Sequence, residues 1–229
     1  PLPPPSSEAF PQGDFHATVL GPDGRPLHAL PPPSFALTED GVAIPDFAMD
    51  EETLGVRQIY AVNTVAPLRR RDVLGVTRLE QVRQALIDAW SSRPASPVSD
   101  QVSLLTSEES LAVNRRQASE LIPALEDWPA VYSGVEVGYG VLMEALTAAL
   151  DPLPHPGMET DIVFVTPLLD LNNEQVLEDA RALAESSGAR IHAVLVGTPE
   201  QAGTAEALRL RAAAEASGGT FQGLDTALG

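Results

Sequence analysis

The sequence predicts an α/β fold: a Rossmann-like, doubly wound and mostly parallel sheet with helices on both faces, preceded by a β-hairpin extension. Two observations carry that prediction. From residue 56 onward, short apolar runs alternate with amphipathic helical repeats, the order that lays parallel strands side by side under helices. Before residue 55, turn residues separate short runs in which apolar and polar positions alternate. The division this suggests is a Pro-rich linker or arm over 1–13, a β-rich extension over 14–54 and an α/β domain over 55–229.

The first stretch, PLPPPSSEAFPQG, has no period and too little apolar surface to offset its ordering entropy. Phe15, Ala17 and Val19 then alternate with polar positions before the turn GPDG, and Phe35 and Leu37 lead through EDG to Val42, Ile44 and Phe47. That is hairpin grammar, with the prolines at 31–33 and 45 confining pairing to edges. In the main domain the expected strands are Val56 to Val65, Gln101 to Thr106, Asp161 to Thr166, Arg190 to Val196 and Thr220 to Leu224. Helices are expected between them. Thr77 and Glu80 make a capping box ahead of Leu79, Val82, Leu86 and Trp90 at helical spacing. A second helix is read from Leu111 through Leu125, with Pro123 near its end, and a third carries Val141, Leu142, Ala145, Leu146 and Leu150. A fourth holds Val176, Leu177, Ala180, Leu183 and Ala184 before Gly188, and a fifth holds Leu208, Ala212 and Ala216 before Gly218 and Gly219.

Composition narrows the function. The 229 residues, 44% of them hydrophobic, suffice for one sizeable core and a small appendage. A formal charge of −18, from 32 acidic and 14 basic residues, repels phosphate backbones and anionic lipid heads, so nucleic acid is not an expected partner. No window reaches the roughly 20 apolar residues of a membrane span, so direct membrane insertion is not expected. Zero cysteines exclude disulfides and thiolate metal sites. The start at Pro1 reads as a processed or excised product. The histidines, at 16, 28, 155 and 192, show no metal-ligand spacing, no G-x-S-x-G elbow occurs, and the glycines at 134, 138 and 140 do not form a dinucleotide fingerprint. Neither catalysis nor a cofactor is expected from these patterns.

Four stretches resemble the von Willebrand factor type A domain: IYAVNTVAPLRRRDVLGVTRLEQVRQAL, QVSLLTSEES, SGVEVGYGVLMEALTAAL, and DIVFVTPLLDLNNEQVLEDARALAESSGARIHAVLVG. The ending ALRLRAAAEASGGTFQGLD is similar to that family's helix, Gly-Gly, strand finish, and VLGPDGRPLHALPPPSFALTEDGVAIPDF resembles the β-rich segment ahead of such domains in bacterial surface proteins. The resemblance implies a metal-ion-dependent adhesion site, in which an Asp-x-Ser-x-Ser loop, a Thr and a third-loop Asp give oxygen ligands to Mg²⁺. Position by position, those residues fall on Asn63, Val65, Pro67, Val135 and Pro167. Only Asn63 keeps a side-chain oxygen, so the loop reads as a degenerate site retained for its shape.

What the resemblance then implies is a noncatalytic, metal-independent interaction or adhesion module of a bacterial surface or secreted protein. Its partner would be a protein, and it would sit at the cell surface or outside the cell, with a place in a larger assembly. The loops at the carboxyl edge of the sheet are the expected contact face, with Asn63, Thr64, Arg69, Arg70, Arg71, Tyr132, Glu136, Tyr139 and Asp170 as its candidate residues. Asp72 beside the three arginines, the densest basic spot in the chain, marks where an acidic partner is sought. Three alternatives stay open: a metal site built from Asn63, Asp170 and Glu136, a structural spacer in an extracellular assembly, and a hydrolase with a carboxylate near His155 or His192.

Overall fold

The computed structural model describes residues 17, 19, 21–22, 27, 29–45, 47–51, 55–92, 100–107, 110–115, 118–129, 132, 138–153, 158–167 and 174–225. The chain divides into two compact units, Pro1–Thr53 with His155–Gly157 and Leu54–Pro154 with Met158–Gly229.

In the first unit, β1 (Leu37–Glu39) and β2 (Val42–Ile44) form an antiparallel hairpin in the register Leu37↔Ile44 and Glu39↔Val42. Its two turn residues, Asp40 and Gly41, have φ of 50° and 79°, the left-handed pair that matches the twist of a two-residue hairpin. The strand expected around Phe15 falls mostly outside the described residues. What is described there is a chain reversal in which the Leu27 N–H donates to the Val19 carbonyl at 2.8 Å.

The second unit is built on a six-stranded sheet in the order β5-β4-β3-β6-β7-β8. The strands are β3 (Val56–Val62), β4 (Gln101–Thr106), β5 (Ser110–Arg115), β6 (Glu159–Thr166), β7 (Ala189–Gly197) and β8 (Phe221–Asp225). Five run parallel, and β5 closes one edge antiparallel to β4. The helices are α1 (Arg78–Ser91), α2 (Ala118–Glu126), α3 (Gly140–Ala149), α4 (Glu174–Ser187), the short α5 (Pro199–Ala202) and α6 (Ala205–Ala216).

Strand alternation sorts the core into two layers. Ile59 and Ala61 of β3, with Ile162, Phe164, Ile191 and Ala193, pack on the apolar stripes of α3, α4 and α6. Tyr60 and Val62 point the other way, toward Leu79, Val82, Leu86 and Trp90 of α1 and Leu121 and Leu125 of α2. On that side the Trp90 Nε1–H donates to the Tyr60 hydroxyl at 2.9 Å, and the two rings meet edge to face. Helix α1 begins as expected: the Glu80 N–H donates to Thr77 Oγ1 at 3.1 Å and the Thr77 N–H to Glu80 Oε2 at 2.6 Å.

Two expectations need correction. Residues 111–115 are not helical but form most of β5, because the free edge of β4 offers them a ladder that local helical spacing cannot register. The central strand also ends at Val62 rather than Val65. The chain turns at Asn63 and enters a short 3-10 helix, Ala66–Arg69, with Pro67 in its first turn, where a missing N–H costs nothing.

Two features predict measurable consequences. A Cβ at Gly219 would overlap the backbone carbonyl of Ile191, so Gly219→Ala should lower stability by about 1–3 kcal/mol in denaturant titration. Burial disfavours the charged form of Asp161, but hydrogen bonds from His192 and from Arg190 (Nε at 2.7 Å) outweigh it and hold the carboxyl below its usual range. The stability it contributes is therefore present above its unfolded pKa, near 4, and is lost as pH falls through the lower folded value. Asp161→Asn should be less stable at pH 7, with a flatter loss of stability between about pH 4 and 2, followed by urea melts across that range.

Candidate functional site

Strand register decides what surrounds the end of β3. Val62 lies beside Thr106 on one side and Val165 on the other, so the next residue, Asn63, comes between Ser107 and Thr166. Asn63 is fully buried there. Its Nδ2 donates to the Gly138 carbonyl at 3.1 Å and to Thr166 Oγ1 at 3.1 Å, while its Oδ1 accepts from the Ser107 hydroxyl at 3.0 Å. The orientation of the amide follows from these partners, since a backbone carbonyl at Gly138 can only accept. Both amide protons are used, and one side chain links β3, β4, β6 and the residues just before α3. The Asn63 N–H extends the ladder one step further, to the Val165 carbonyl at 2.8 Å.

Among the described residues, the side chains on this amide are two hydroxyls, and no carboxylate is bonded to it of the kind a hard divalent cation favours. Val65 is a buried apolar side chain and Pro67 lies in the first turn of the 3-10 helix. Pro167 follows β6 directly, and Val135, Glu136 and Asp170 lie outside the described residues. Among the described residues no group of three or more His, Asp or Glu side chains is placed to hold a metal ion. Thr64 is buried, and its hydroxyl has no hydrogen-bond partner among the described residues, although its N–H is met by Ser107 Oγ at 3.1 Å.

The loop after Val65 is tied by one carboxylate. Asp72 Oδ1 accepts from the Leu74 and Val76 N–H groups at 2.8 and 2.9 Å, and Oδ2 accepts from Gln81 Nε2 of α1 at 2.9 Å. Gly75, with φ of 82°, allows the turn, and Arg71 and Thr77 pair across its base while Arg71 Nη1 donates to the Gly75 carbonyl. Asp72 is thus a scaffold of the loop rather than a group held out to a partner. The loop displays Val73 and Leu74 at its tip, 76% and 83% exposed.

Of the candidate contact residues, the structure separates two sets. Asn63, Thr64 and Tyr139 are buried, Tyr139 against Phe164 with ring centroids 6.1 Å apart, so they support the face instead of presenting it. Arg69, Arg70 and Arg71 are exposed, and Tyr132 is half-buried beneath the Arg69 guanidinium, 4.7 Å from its ring centroid. The hydroxyls of Ser107, which the sequence did not single out, and of Thr166, the first residue of an expected contact loop, complete the Asn63 network. The only sequence signal for Ser107 is its place one residue past the end of β4.

The arrangement of sheet, helices and edge loops matches solved structures. The BatB protein of Bacteroides thetaiotaomicron superposes with a TM-score of 0.58 at 17% identity, over 75% of this chain and 91% of that one. An aerotolerance-related membrane protein of Bacteroides fragilis gives 0.58 at 16%, over 76% and 94%, and the SpRpn10 VWA domain gives 0.53 at 11%, over 75% and 87%. The chain has a von Willebrand factor A-type fold. At these identities the likeness carries the architecture and no binding property. No protein-family profile and no curated protein matches the sequence. Asn63, onto which the family resemblance puts the first metal ligand as an expectation, serves here as a hydrogen-bond link between four chain segments.

That link sets opposite outcomes for two neighbours. Asn63→Ala removes the donor to the Gly138 carbonyl and to Thr166 Oγ1 and the acceptor of the Ser107 hydroxyl, and should cost about 1–3 kcal/mol. Thr64→Val removes a hydroxyl that makes no hydrogen bond among the described residues and should melt at or above the parent temperature. Differential scanning calorimetry of the two variants checks both.

Proposed function

We propose that this chain is a noncatalytic protein-interaction module that works without a divalent metal, with its contact surface at the carboxyl edge of the sheet. The observation that carries this reading is the Asn63 amide, whose two protons and oxygen are engaged by protein groups where a metal site would need an anionic oxygen. The hydrogen-bond network holds the loops together in the role an ion would otherwise fill. Exposed Arg69, Arg70, Arg71, Val73 and Leu74 then supply a surface at this edge. Open α/β sheets gather ligands at the carboxyl ends of their strands, which supports placing the contact there.

The setting we infer is a bacterial surface or secreted protein, in which the module serves adhesion or the assembly of a larger structure. Support comes from two Bacteroides proteins of the same architecture, one of them described as a membrane protein. In this chain, no helix among the described residues is long and apolar enough to cross a membrane. The strongly acidic balance argues against nucleic acid as the partner.

Two measurements test the reading. Isothermal titration with Mg²⁺, Mn²⁺ and Ca²⁺ should give no stoichiometric heat, and EDTA should leave the melting temperature unchanged; a one-to-one heat with a raised melting temperature would overturn metal independence and direct attention to Glu136 and Asp170. A photo-crosslinking amino acid at Leu74 should trap a discrete protein adduct in native host cells, while the same group at Leu150, beyond the far end of α3, should not. Equal adducts from both positions, or none from Leu74, would sink the placement of the contact surface.

A further inference from the structure

Beside the apolar tip of the Asp72 loop lies a cavity of about 390 Å³ whose walls include Arg69, Arg71, Glu80, Arg83, Trp128 and Tyr132. Three guanidinium groups thus face one carboxylate, a local excess of positive charge in a chain whose formal charge is −18. The carboxylate is already engaged. Thr77 donates to Glu80 through both its N–H and its hydroxyl, and these two hydrogen bonds hold the Glu80 carboxyl below its usual pKa range. Among the described residues Arg69 and Arg83 make no ion pair. Arg69 lies over the Tyr132 ring, its Cζ 4.7 Å from the ring centroid, a contact that leaves a guanidinium's N–H groups able to donate to an acceptor.

A second depression shares Glu80 and Arg83 with the first, and Asp72, Leu74, Val76 and Asp88 are among the residues that line it. The Asp72 carboxylate is already engaged by the Leu74 and Val76 N–H groups and by Gln81. An occupant that spans both meets the guanidiniums in the first depression and, in the second, the aliphatic surface of Leu74 and Val76 flanked by carboxylates. That pairing suits a segment that carries one carboxylate and one apolar side chain.

We propose that Arg69 and Arg83, with the Leu74 tip, form the docking site for an acidic segment of a protein partner that seats a carboxylate between the guanidiniums and an apolar side chain on Leu74. The proposal rests on the interaction-module reading above and names the chemistry of the partner. Charge complementarity favours a short peptide over an extended polyanion or an anionic bilayer. A local excess of positive charge attracts a carboxylate inside the cavity, whereas the net charge of the chain repels a continuous negative surface at longer range. Arginine is suited to the task because its fork pairs a carboxylate through two parallel hydrogen bonds.

The test uses the full 229-residue chain and a fluorescein-labelled peptide of alternating Glu and Leu, its counterpart with Gln in place of Glu, and vesicles of phosphatidylserine and phosphatidylcholine. Fluorescence anisotropy should show the Glu peptide binding about tenfold or more tightly than the Gln peptide, a difference that shrinks with added salt. Arg69→Ala with Arg83→Ala should erase that preference with the circular dichroism spectrum unchanged, and Arg69→Lys with Arg83→Lys should restore part of it. Leu74→Ser should weaken both peptides alike, and Arg181→Ala on the exposed face of α4 should weaken neither. Equal binding of the two peptides, no binding of either, an equal effect of Arg181→Ala, or binding of vesicles in place of peptide would overturn the proposal. Should the Leu74 crosslink persist in the Arg69→Ala, Arg83→Ala variant, the interaction module stands and the acidic-peptide site falls.

Discussion

One buried amide closes the carboxyl edge of this sheet. Asn63 leaves the central strand between two strands whose register brings a hydroxyl to each side of it, and it adds the backbone before α3 as a third partner. Several chain segments meet at such an edge, and their backbone groups must find partners or face desolvation. A metal ion with carboxylate ligands is one way to join such loops. A saturated amide is another, and it needs no charge to be buried. The arrangement depends on all three partners, because an amide with an unused proton in this position would cost stability rather than add it.

The loop that follows divides its residues between support and display. Leu68 is buried at the 3-10 helix, Asp72 spends both carboxylate oxygens on the loop and on α1, and Gly75 supplies the backbone conformation that the turn requires. What remains outward is two aliphatic side chains and a run of arginines. Rigid presentation of a small apolar tip reduces the ordering cost on binding, so an exposed pair such as Val73 and Leu74 can serve as an anchor instead of a liability. The neighbouring aromatic wall, Trp128 and Tyr132, gives the arginines a low-dielectric side against which their charge is less screened than in open solvent.

Much of this fold is legible in the sequence because its central strands are buried on both faces and its helices carry one apolar stripe. The Thr77 and Glu80 cap and the Gly188 and Gly218 stops are local devices, and each stands where the spacing places it. The second helix is the instructive exception. Leu111 to Leu125 is periodic enough to pass for one helix, yet its first third completes the sheet as β5. Pairing with a strand edge is a non-local gain that outweighs a weak local preference. At the site, the absence of metal-ligand chemistry in Val65 and Pro67 is plain from residue type alone. That Asn63, Thr64 and Tyr139 would be buried is not, since Asn, Thr and Tyr at strand and helix ends are found on surfaces as often as within networks.

The sequence by itself determined the alternation of strands and helices, the acidic balance and the apolar character of Val65 and Pro67 in the first loop, because each is a property of residue type and short-range spacing. Only the tertiary structure decided which hydroxyls reach Asn63, which arginines gather beside Tyr132, and which candidate contact residues lie inside. Those outcomes depend on register between strands far apart in the chain and on helices that pack across them. Side chains separated by as many residues as Asn63 and Thr166 meet only when the sheet has closed.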